Sequence, residues 1–475
     1  MFALALCILL FIFIFQAATI LLLEFRRPAH ATAWLFILFL FPLVGFILYY
    51  FLATEYRRSR KARRRASQDQ RRRGKLLSMS DVLSSASELP GLASETRLFR
   101  TLQKRSEMPI TVRNRSVLFN NGRNTYDAML TAIRGATSHI HLSSYIVRDD
   151  GVGREFQRAL IEKAREGVKV KLLYDGIGSI KLKDEYVRKL EAGGVDCACF
   201  FPLRPSFLKK RMNYRNHRKI AVVDGKIGFV GGINVGDEYI GKHPRLGYWR
   251  DSHLMLEGDS VYWLQEVFLK DWEIATRRKP DDPSFFPEHG VPKGEAVQIV
   301  PAGPNRKGDA IHDSVFAMLN AAKERIWMTT PYFIPSSSIA MALHDAAVSG
   351  MDVRILVPYV PDTWLVHLAT MSYVEEMMRS GVRVWQYKKG FIHAKTLVVD
   401  RFAAVVGTAN MDLRSFYSNF EINAHLFDPA AISRVENDFL QDLEDSQEIN
   451  LHKFLARSRM RKAKEAMARI LSPLL

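Results

Sequence analysis

Cysteine is scarce in this chain of 475 residues, which contains only Cys7, Cys197 and Cys199. Three cysteines cannot build a disulfide framework, so a reducing compartment fits the sequence best. Cys197 and Cys199 have no cluster of Cys or His beside them, whereas a tetrahedral metal site takes four such ligands. The sequence therefore predicts no metal site.

A strongly basic central region, of the kind that binds nucleic acid, is also missing. The net charge of +18 divides into +10 up to Lys75, +6 from Leu451 onward and only +2 for residues 76–450. A protein that grips a nucleic-acid backbone is expected to carry its positive charge on the folded domain, with aromatic residues interleaved. Charge concentrated in the tails instead predicts a membrane partner and no nucleic acid.

Two long runs, residues 2–23 and 33–54, contain no charged residue. A helix of either length spans about 33 Å, enough to cross a bilayer, so the sequence predicts a hairpin of two transmembrane helices. The eleven Arg and Lys residues within 57–75 place residues 55–475 in the cytoplasm by the positive-inside rule. Those cations need be no more than a stop-transfer signal, and headgroup attraction is the alternative. A cleaved signal peptide is disfavoured because the first run lacks a basic start.

The rest of the chain contains one unit twice. Residues 136–145, 167–174 and 194–199 correspond to 322–332, 350–357 and 381–386. Alternating apolar strands follow amphipathic stretches in both copies, which predicts α/β units with a largely parallel sheet. Two like halves commonly pack about a pseudo-twofold axis, so equivalent loops can meet.

Each copy carries a His-x-Lys motif followed by Asp, Gly and Asn at identical spacings. The two sets are His217, Lys219, Asp224, Gly231 and Asn234, and His393, Lys395, Asp400, Gly407 and Asn410. Side chains at i and i+2 of a strand share a face, so each His and its Lys are expected to point the same way. Both aspartates fall between two apolar strands, where hairpin turns are expected.

These residue types suit the chemistry of a phosphodiester. Lysine and asparagine donors can hold the non-bridging oxygens, which predicts phosphate binding by Asn234 and Asn410 beside the two lysines. One neutral imidazole can attack phosphorus while the other, protonated, donates to the leaving oxygen. Asp251 and Glu421 are the expected supporting acids. Asp224 and Asp400 are counted with the catalytic set, and a structural role in the turn is the alternative.

The duplicated motif resembles the phospholipase D superfamily. Within it, nearly the whole chain resembles bacterial cardiolipin synthases, through Phe25-Arg-Arg-Pro28, Asn213-Tyr-Arg-Asn-His-Arg-Lys219, Tyr248-Trp-Arg-Asp251 and Thr330-Pro-Tyr-Phe-Ile-Pro335. The resemblance implies an enzyme of the bacterial inner membrane that condenses two phosphatidylglycerols to cardiolipin and glycerol, with no metal or other cofactor. It also implies that His217 is the nucleophile and His393 the general acid.

The expected fold class is α/β, with two phospholipase D-like repeats packed pseudo-symmetrically after the transmembrane hairpin. The expected organisation is two transmembrane helices at 1–56, a basic juxtamembrane linker at 57–108, a first repeat at 109–276, a linker at 277–296, a second repeat at 297–450 and a basic amphipathic tail at 451–475. The tail is expected either on the membrane or packed on the catalytic domain. Residues 203–212 are expected as an interfacial or a solvated loop.

Two other functions use the same residues or the same surface. Hydrolysis of a lipid differs from transfer only in that water replaces the alcohol acceptor, so the motifs do not separate the two. A membrane-tethered nuclease is disfavoured by the nearly neutral central region.

Overall fold

The computed structural model describes residues 2–24, 28–42, 44–52, 71–89, 93, 95–202, 213–280, 282–306 and 308–474. The basic run at 57–65 and the loop at 203–212, on which two of the sequence predictions depend, lie outside the described residues.

The N-terminal region contains three helices where two were expected. Helix α1 covers Phe2–Leu23, α2 covers Pro28–Leu40 and α3 covers Val44–Leu52. A single helix over 33–54 was therefore a wrong prediction. Pro42 lies at the break, and proline ends a helix because it has no N–H and its ring collides with the preceding turn. The rings of Trp34 and Tyr49 lie 5.5 Å apart, so α3 folds back along α2.

Nowhere in the described part of the chain is a helix both long and apolar enough to cross a membrane. The predicted transmembrane hairpin is thus not confirmed.

The segment before the first repeat is largely helical. It contains α4 at 71–79, a short 3-10 helix at Ala86–Glu88 and α5 at Thr96–Ser106. Helix α5 is amphipathic and buries Leu98, Phe99 and Leu102 in the core of the second repeat.

The first repeat alternates strands and helices and then continues as antiparallel strands. Its elements are β1 Ile110–Thr111, β2 Asn114–Asn121, α6 Gly122–Arg134, β3 His139–Ser144, α7 Gly151–Arg165, β4 Lys169–Asp175, α8 Asp184–Ala192, β5 Asp196–Phe200, β6 Ile220–Val223, β7 Ile227–Gly231, 3-10 helix Asp237–Ile240, β8 Tyr248–Gly258, α9 Asp259–Thr276 and 3-10 helix Pro283–Phe285.

The second repeat and the tail follow the same plan with small additions. Their elements are β9 Val297–Ala302, α10 Ala310–Ala321, β10 Arg325–Thr329, β11 Phe333–Ile334, α11 Ser337–Val348, β12 Asp352–Pro358, α12 Trp364–Arg379, β13 Arg383–Tyr387, β14 Gly390–Ile392, β15 Thr396–Val399, β16 Ala403–Gly407, β17 Met411–Asp412, α13 Leu413–Tyr417, β18 Glu421–Leu426, α14 Pro429–Glu444, β19 Ser446–Glu448, α15 Leu451–Leu455, α16 Arg459–Leu471 and 3-10 helix Ser472–Leu474.

Local chemistry explains where these helices begin and which face they bury. Helix α7 starts after Asp150, whose carboxylate accepts the backbone N–H of Gly153 at 2.9 Å. Val152, Phe156 and Leu160 then recur every four residues and are buried against the sheet.

The two repeats have the same sheet topology, which confirms the duplicated α/β fold. The sheets have the orders β14-β8-β7-β6-β3-β4-β5 and β1-β9-β18-β16-β15-β10-β12-β13-β19, with β2 also paired to β8. Strands β3, β4 and β5 are parallel, as are β10, β12 and β13, but the motif strands are antiparallel. The prediction of a largely parallel sheet was wrong because the hairpin turns at Asp224 and Asp400 reverse the chain within each sheet.

The backbones of the two repeats pair with each other at two places beside the motifs. Strand β14 of the second repeat pairs with β8 of the first, with Ile392 opposite Arg250. Asn216 forms an isolated parallel bridge with Phe420. Between these crossings, the inner faces of both sheets share one apolar core, to which Val222, Leu254, Val398 and Ile422 contribute. The two halves therefore form one folded unit.

The tail packs on the second repeat and on the N-terminal helices. Helix α16 contacts α12 and α2, and Glu465 on its inner face is 1% exposed. The Glu465 carboxylate pairs with Arg457 at 2.6 Å and with Arg461 at 3.2 Å. The tail was expected either on the membrane or packed on the catalytic domain, and in the structure it packs on the domain.

Candidate active site

The two motif histidines lie in extended segments just before β6 and β15, and a backbone bond from the opposite repeat holds each of them. The N–H of His217 donates to the carbonyl of Phe420 at 2.9 Å, and the N–H of His393 donates to the carbonyl of Arg250 at 2.7 Å. These bonds continue the Asn216–Phe420 bridge and the β14–β8 pairing. Equivalent crossings thus place both imidazoles at the interface between the halves.

Each imidazole bonds a carboxylate from the other repeat. His217 Nδ1 lies 3.0 Å from both carboxylate oxygens of Glu421. His393 Nδ1 lies 2.7 Å from Oδ2 of Asp251. A proton on Nδ1 that donates to the acid leaves the lone pair on Nε2, the nitrogen that can attack or transfer a proton. Sequence spacing predicted the two acids but not that they cross between the repeats.

The two acids have different neighbours. Glu421 also accepts the hydroxyl of Thr408 at 2.5 Å and the side-chain amide of Asn419 at 3.2 Å. Asp251 accepts the backbone N–H of Ser252 at 2.8 Å and the indole N–H of Trp249 at 3.4 Å. Gly232 occupies the position equivalent to Thr408, and a Cβ there would lie 1.9 Å from Oδ1 of Asp251. The pseudo-symmetry is therefore broken at the carboxylates.

Both acids are ionised although they are buried. Burial raises the pKa of Glu421, but His217 and Lys219 outweigh it, and the pKa lies below its usual value. For Asp251, His393 and Lys395 likewise outweigh burial and lower the pKa. Each carboxylate therefore holds its imidazole by a charge-assisted hydrogen bond.

Each lysine lies beside the histidine of its own motif, and the charge of Lys395 acts on Lys219. Lys219 Nζ donates to the carbonyl of His217 at 2.7 Å, and Lys395 makes the same bond to His393. Burial, opposed by Glu421 and reinforced by Lys395, lowers the pKa of Lys219 to about 7. Burial also lowers the pKa of Lys395 to about 8. Two buried lysines, one of which lowers the pKa of the other, create a site that favours an anion.

The pKa of each imidazole is lowered. Burial lowers the pKa of His217, and Lys219 and Lys395 add to the effect against Glu421. Burial and Lys395 lower the pKa of His393 to about 3. Because Lys395 acts on His217 and Lys219 acts on His393, the four side chains form one electrostatic cluster.

The two asparagines are buried but have different partners. Asn234 donates from Nδ2 to the hydroxyl of Tyr239 at 2.7 Å and accepts the N–H of Ile146 on Oδ1 at 3.0 Å. The backbone N–H of Asn410 donates to the hydroxyl of Ser415, while its Oδ1 has no partner among the described residues. Direct binding of phosphate by these amides stays a prediction.

Asp224 and Asp400 lie at the hairpin turns, at the far ends of β6 and β15 from the imidazoles. Both have a positive φ, of 52° and 49°. The carboxylate of Asp224 accepts the backbone N–H groups of residues 137–139 at 2.7 to 2.9 Å. Asp400 accepts those of residues 323–325 at 2.8 to 2.9 Å. The structure does not bring these two aspartates to the reacting groups.

Aromatic side chains that the sequence reasoning did not select enclose the imidazoles. The ring of Tyr145 meets His217 edge-on at 5.0 Å, and Lys219 Nζ lies 5.4 Å from the same ring. The ring of Trp249 lies 5.2 Å from His393. Tyr145 is the last residue of the repeated segment 136–145, and Trp249 belongs to the sequence Tyr248-Trp-Arg-Asp251. Membership of those two sequences is the signal that could have identified both residues.

No group of three or more His, Cys, Asp or Glu side chains in the described residues is arranged to hold a metal ion. The cluster can hold an anion beside its two lysines and present two imidazoles to it. It is thus equipped for nucleophilic attack on a phosphodiester and for proton transfer.

The comparisons with a family model and with curated proteins agree on one family. The family model described as "Cardiolipin synthase, PLD-like domain" matches residues 129–272 and 315–443. A cardiolipin synthase of Geobacillus kaustophilus is 41% identical over 96% of this chain and 91% of its own length. Cardiolipin synthase 2 of Bacillus anthracis is 41% identical over 97% of this chain and 90% of its own length.

Among solved structures, the phosphatidylserine synthase of Haemophilus influenzae matches 80% of this chain and all of its own, with a TM-score of 0.62 and 13% identity. The polyphosphate kinase of Porphyromonas gingivalis matches 75% of this chain and 52% of its own, with a TM-score of 0.50 and 14% identity. At these identities the likeness shows the shared fold.

Proposed function

Because this chain belongs to the cardiolipin synthase family of phosphatidyltransferases with phospholipase D-like domains, we propose that it joins two phosphatidylglycerols through a phosphohistidine on His217. The observation that supports this mechanism best is the pair of crossed contacts, His217 with Glu421 and His393 with Asp251. They hold two imidazoles in the same tautomer around one anion-binding cluster.

In the first step, Nε2 of His217 attacks the phosphorus of the first phosphatidylglycerol. The bond between phosphorus and the headgroup glycerol breaks, and His393 gives a proton to the departing oxygen. Lys219 and Lys395 stabilise the charge on the non-bridging oxygens. A bound phosphate opposes the lysines, so the pKa of His393 rises in the complex and the imidazole can carry that proton.

In the second step, the terminal hydroxyl of a second phosphatidylglycerol attacks the same phosphorus. His393 accepts the proton of that hydroxyl, the bond from phosphorus to His217 breaks, and cardiolipin is released. Glycerol is the other product, so bonds and protons balance over the two steps.

The proposal includes attachment to the bacterial inner membrane by the N-terminal helices, with the basic residues 57–75 on the cytoplasmic side. Large apolar side chains of these helices are exposed, among them Phe11 at 71%, Leu22 at 75% and Phe39 at 71%. An exposed apolar surface of this size favours contact with lipid. The excess charge lies in the tails, so phospholipid is the proposed partner and nucleic acid is not.

The test incubates the purified full chain in detergent micelles with phosphatidylglycerol as the only lipid. Cardiolipin and glycerol in equal amounts are expected. Phosphatidic acid in place of cardiolipin would mean that water is the acceptor and that the chain is a lipid hydrolase.

A second experiment tests the roles of the histidines. His217→Ala and His393→Ala are each expected to abolish turnover, and acid-labile, base-stable phosphate is expected on His217 alone. His344→Ala changes an exposed histidine on α11 and is the matched control. Turnover by either motif variant would refute a shared site.

A further inference from the structure

A cleft of about 610 Å³ lies between the N-terminal helices and the catalytic repeats. Its volume is within the ~300–1,000 Å³ that small-molecule sites usually have. One side is formed by α2, α3 and the end of the tail, and the opposite side by segments of both repeats.

The first side is apolar apart from His30. Trp34, Ile37, Leu48 and Leu474 line it. The indole N–H of Trp34 has no hydrogen-bond partner among the described residues, although its residue is only 4% exposed. That nitrogen is itself shut off from the cleft, so this side offers a lipid mainly apolar contact.

The opposite side is cationic. Among the described residues, Arg215, Arg306 and Arg414 line it together with Asp309, and the carboxylate of the buried Asp175 lies 3.7 Å from Arg215. Both terminal nitrogens of Arg414 bond Asn213, at 2.7 and 3.0 Å, and not a carboxylate. Burial and the cations Arg73 and Arg218 lower the pKa of Arg306 to about 9. Arg306, which donates to the carbonyl of Ser106, and Arg414 are therefore the cations of the cleft that suit an anionic group.

The cleft leads to only one of the two imidazoles. Tyr145 lines the cleft, and the same ring packs against His217 at 5.0 Å. Residues 213–215 and 414–418, which also line it, come just before His217 and Glu421 in the chain. The segments before His393 and Asp251 contribute nothing to it, so the cleft breaks the pseudo-symmetry of the site.

We propose that this cleft holds one anionic phospholipid beside His217, with its acyl chains along Trp34, Ile37 and Leu48 and its phosphate near Arg414 and Arg306. The inference deepens the proposed function, on which it rests, because the lipid that occupies the cleft is phosphatidylglycerol. The apolar wall accepts chains from the membrane, and the guanidinium groups select a headgroup with net negative charge. Tyr145 lines this site and also packs against the imidazole.

The test measures binding apart from turnover. Phosphatidylglycerol with brominated acyl chains is added to the full chain in detergent micelles, and the fluorescence of Trp34 is isolated by comparison with Trp34→Phe. Saturable quenching by this lipid is expected, with weaker quenching by brominated phosphatidylcholine, which has no net charge.

Two pairs of variants provide the controls. Leu48→Gln changes the cleft, whereas Ile47→Gln changes its exposed neighbour on α3, which does not line it. Arg414→Gln removes a guanidinium of the cleft, whereas Arg188→Gln removes an exposed one on α8. Leu48→Gln and Arg414→Gln are each expected to weaken quenching and to raise KM for phosphatidylglycerol about tenfold, with kcat changed less. Arg414→Lys, which keeps the charge, is expected to lie between Arg414→Gln and the wild type.

Equal quenching by both lipids, or equal behaviour of each variant and its control, would overturn the inference. If the chain makes cardiolipin under those outcomes, the proposed function stands and the cleft is not its lipid site. If saturable, charge-selective quenching occurs without cardiolipin synthesis, the cleft binds lipid and the proposed function fails.

Discussion

At the scale of single residues, the two imidazoles are held alike and their acids are not. Glu421 receives a hydroxyl from Thr408, while Asp251 is approached so closely by Gly232 that no side chain fits there. Each carboxylate accepts two donors besides its histidine, but of different kinds: a hydroxyl and a side-chain amide for Glu421, a backbone N–H and an indole N–H for Asp251. The halves of the site are therefore chemically distinct, in line with separate roles for His217 and His393.

The lysines set the expected pH dependence. Their lowered pKa values, about 7 for Lys219 and about 8 for Lys395, mean that both ammonium charges are present below pH 7 and are lost as the pH rises through that range. We expect kcat/KM for phosphatidylglycerol to fall between pH 7 and 9. The fall in kcat is expected at higher pH, because bound phosphate raises both pKa values.

Initial rates in micelles at constant ionic strength measure both profiles. A kcat/KM that stays constant from pH 7 to 9 would show that the free enzyme keeps its ammonium groups, contrary to this account of the cluster.

Asp224 and Asp400 are expected to act on stability and not on catalysis. Asp224→Asn and Asp400→Asn each replace a carboxylate that accepts three backbone N–H groups with an amide, which is a weaker acceptor. Each is therefore expected to cost about 1–3 kcal/mol of unfolding free energy. Thermal unfolding in detergent and kcat at a temperature below the transition are the measurements. An unchanged Tm with a loss of about 10²-fold in kcat would instead show that these two aspartates act in catalysis.

At the scale of elements, the short strand β14 positions His393. It pairs with β8 of the other repeat, and the next residue of the chain is the histidine. A Cβ on Gly390 would lie 2.1 Å from the carbonyl oxygen of Tyr248, so the two strands can approach only because residue 390 is glycine.

Gly390→Ala is therefore expected to push β14 from β8 and to move His393 away from Asp251. We expect kcat to fall by about 10²-fold or more, since a small displacement of a catalytic group is costly. Gly290→Ala, at a position where an added Cβ has open space, is the control and should retain wild-type activity. Wild-type kcat in Gly390→Ala would mean that the crossing does not position the imidazole.

The N-terminal and C-terminal elements meet on one side of the molecule. Helix α16 contacts α2, and the short helix Ser472–Leu474 contacts both. Met460 and Met467 of α16 are exposed at 67% and 52% beside its cations, a pattern typical of a helix at an interface. The packed tail and the lipid cleft therefore share the face on which the apolar helices lie.

At the scale of the whole molecule, one chain supplies a complete site. Both imidazoles and both acids come from the same polypeptide, and the two sheets share a core. An equimolar mixture of His217→Ala and His393→Ala chains is thus expected to be as inactive as either alone, by the phosphatidylglycerol assay. Partial recovery of cardiolipin synthesis in the mixture would show that two chains exchange halves.

The sequence by itself determined the duplication, the family and the two His-x-Lys sets, because fixed spacing within a strand and a hairpin turn places those residues in the same way in both copies. It did not determine how the halves meet. Which acid serves which histidine depends on β14 and on the Asn216–Phe420 bridge, contacts between residues about 140 to 200 positions apart that no local pattern records. The fold-back at Pro42 and the cleft beside Trp34 are likewise tertiary, because they depend on which surfaces pack together and not on the polarity of any one segment.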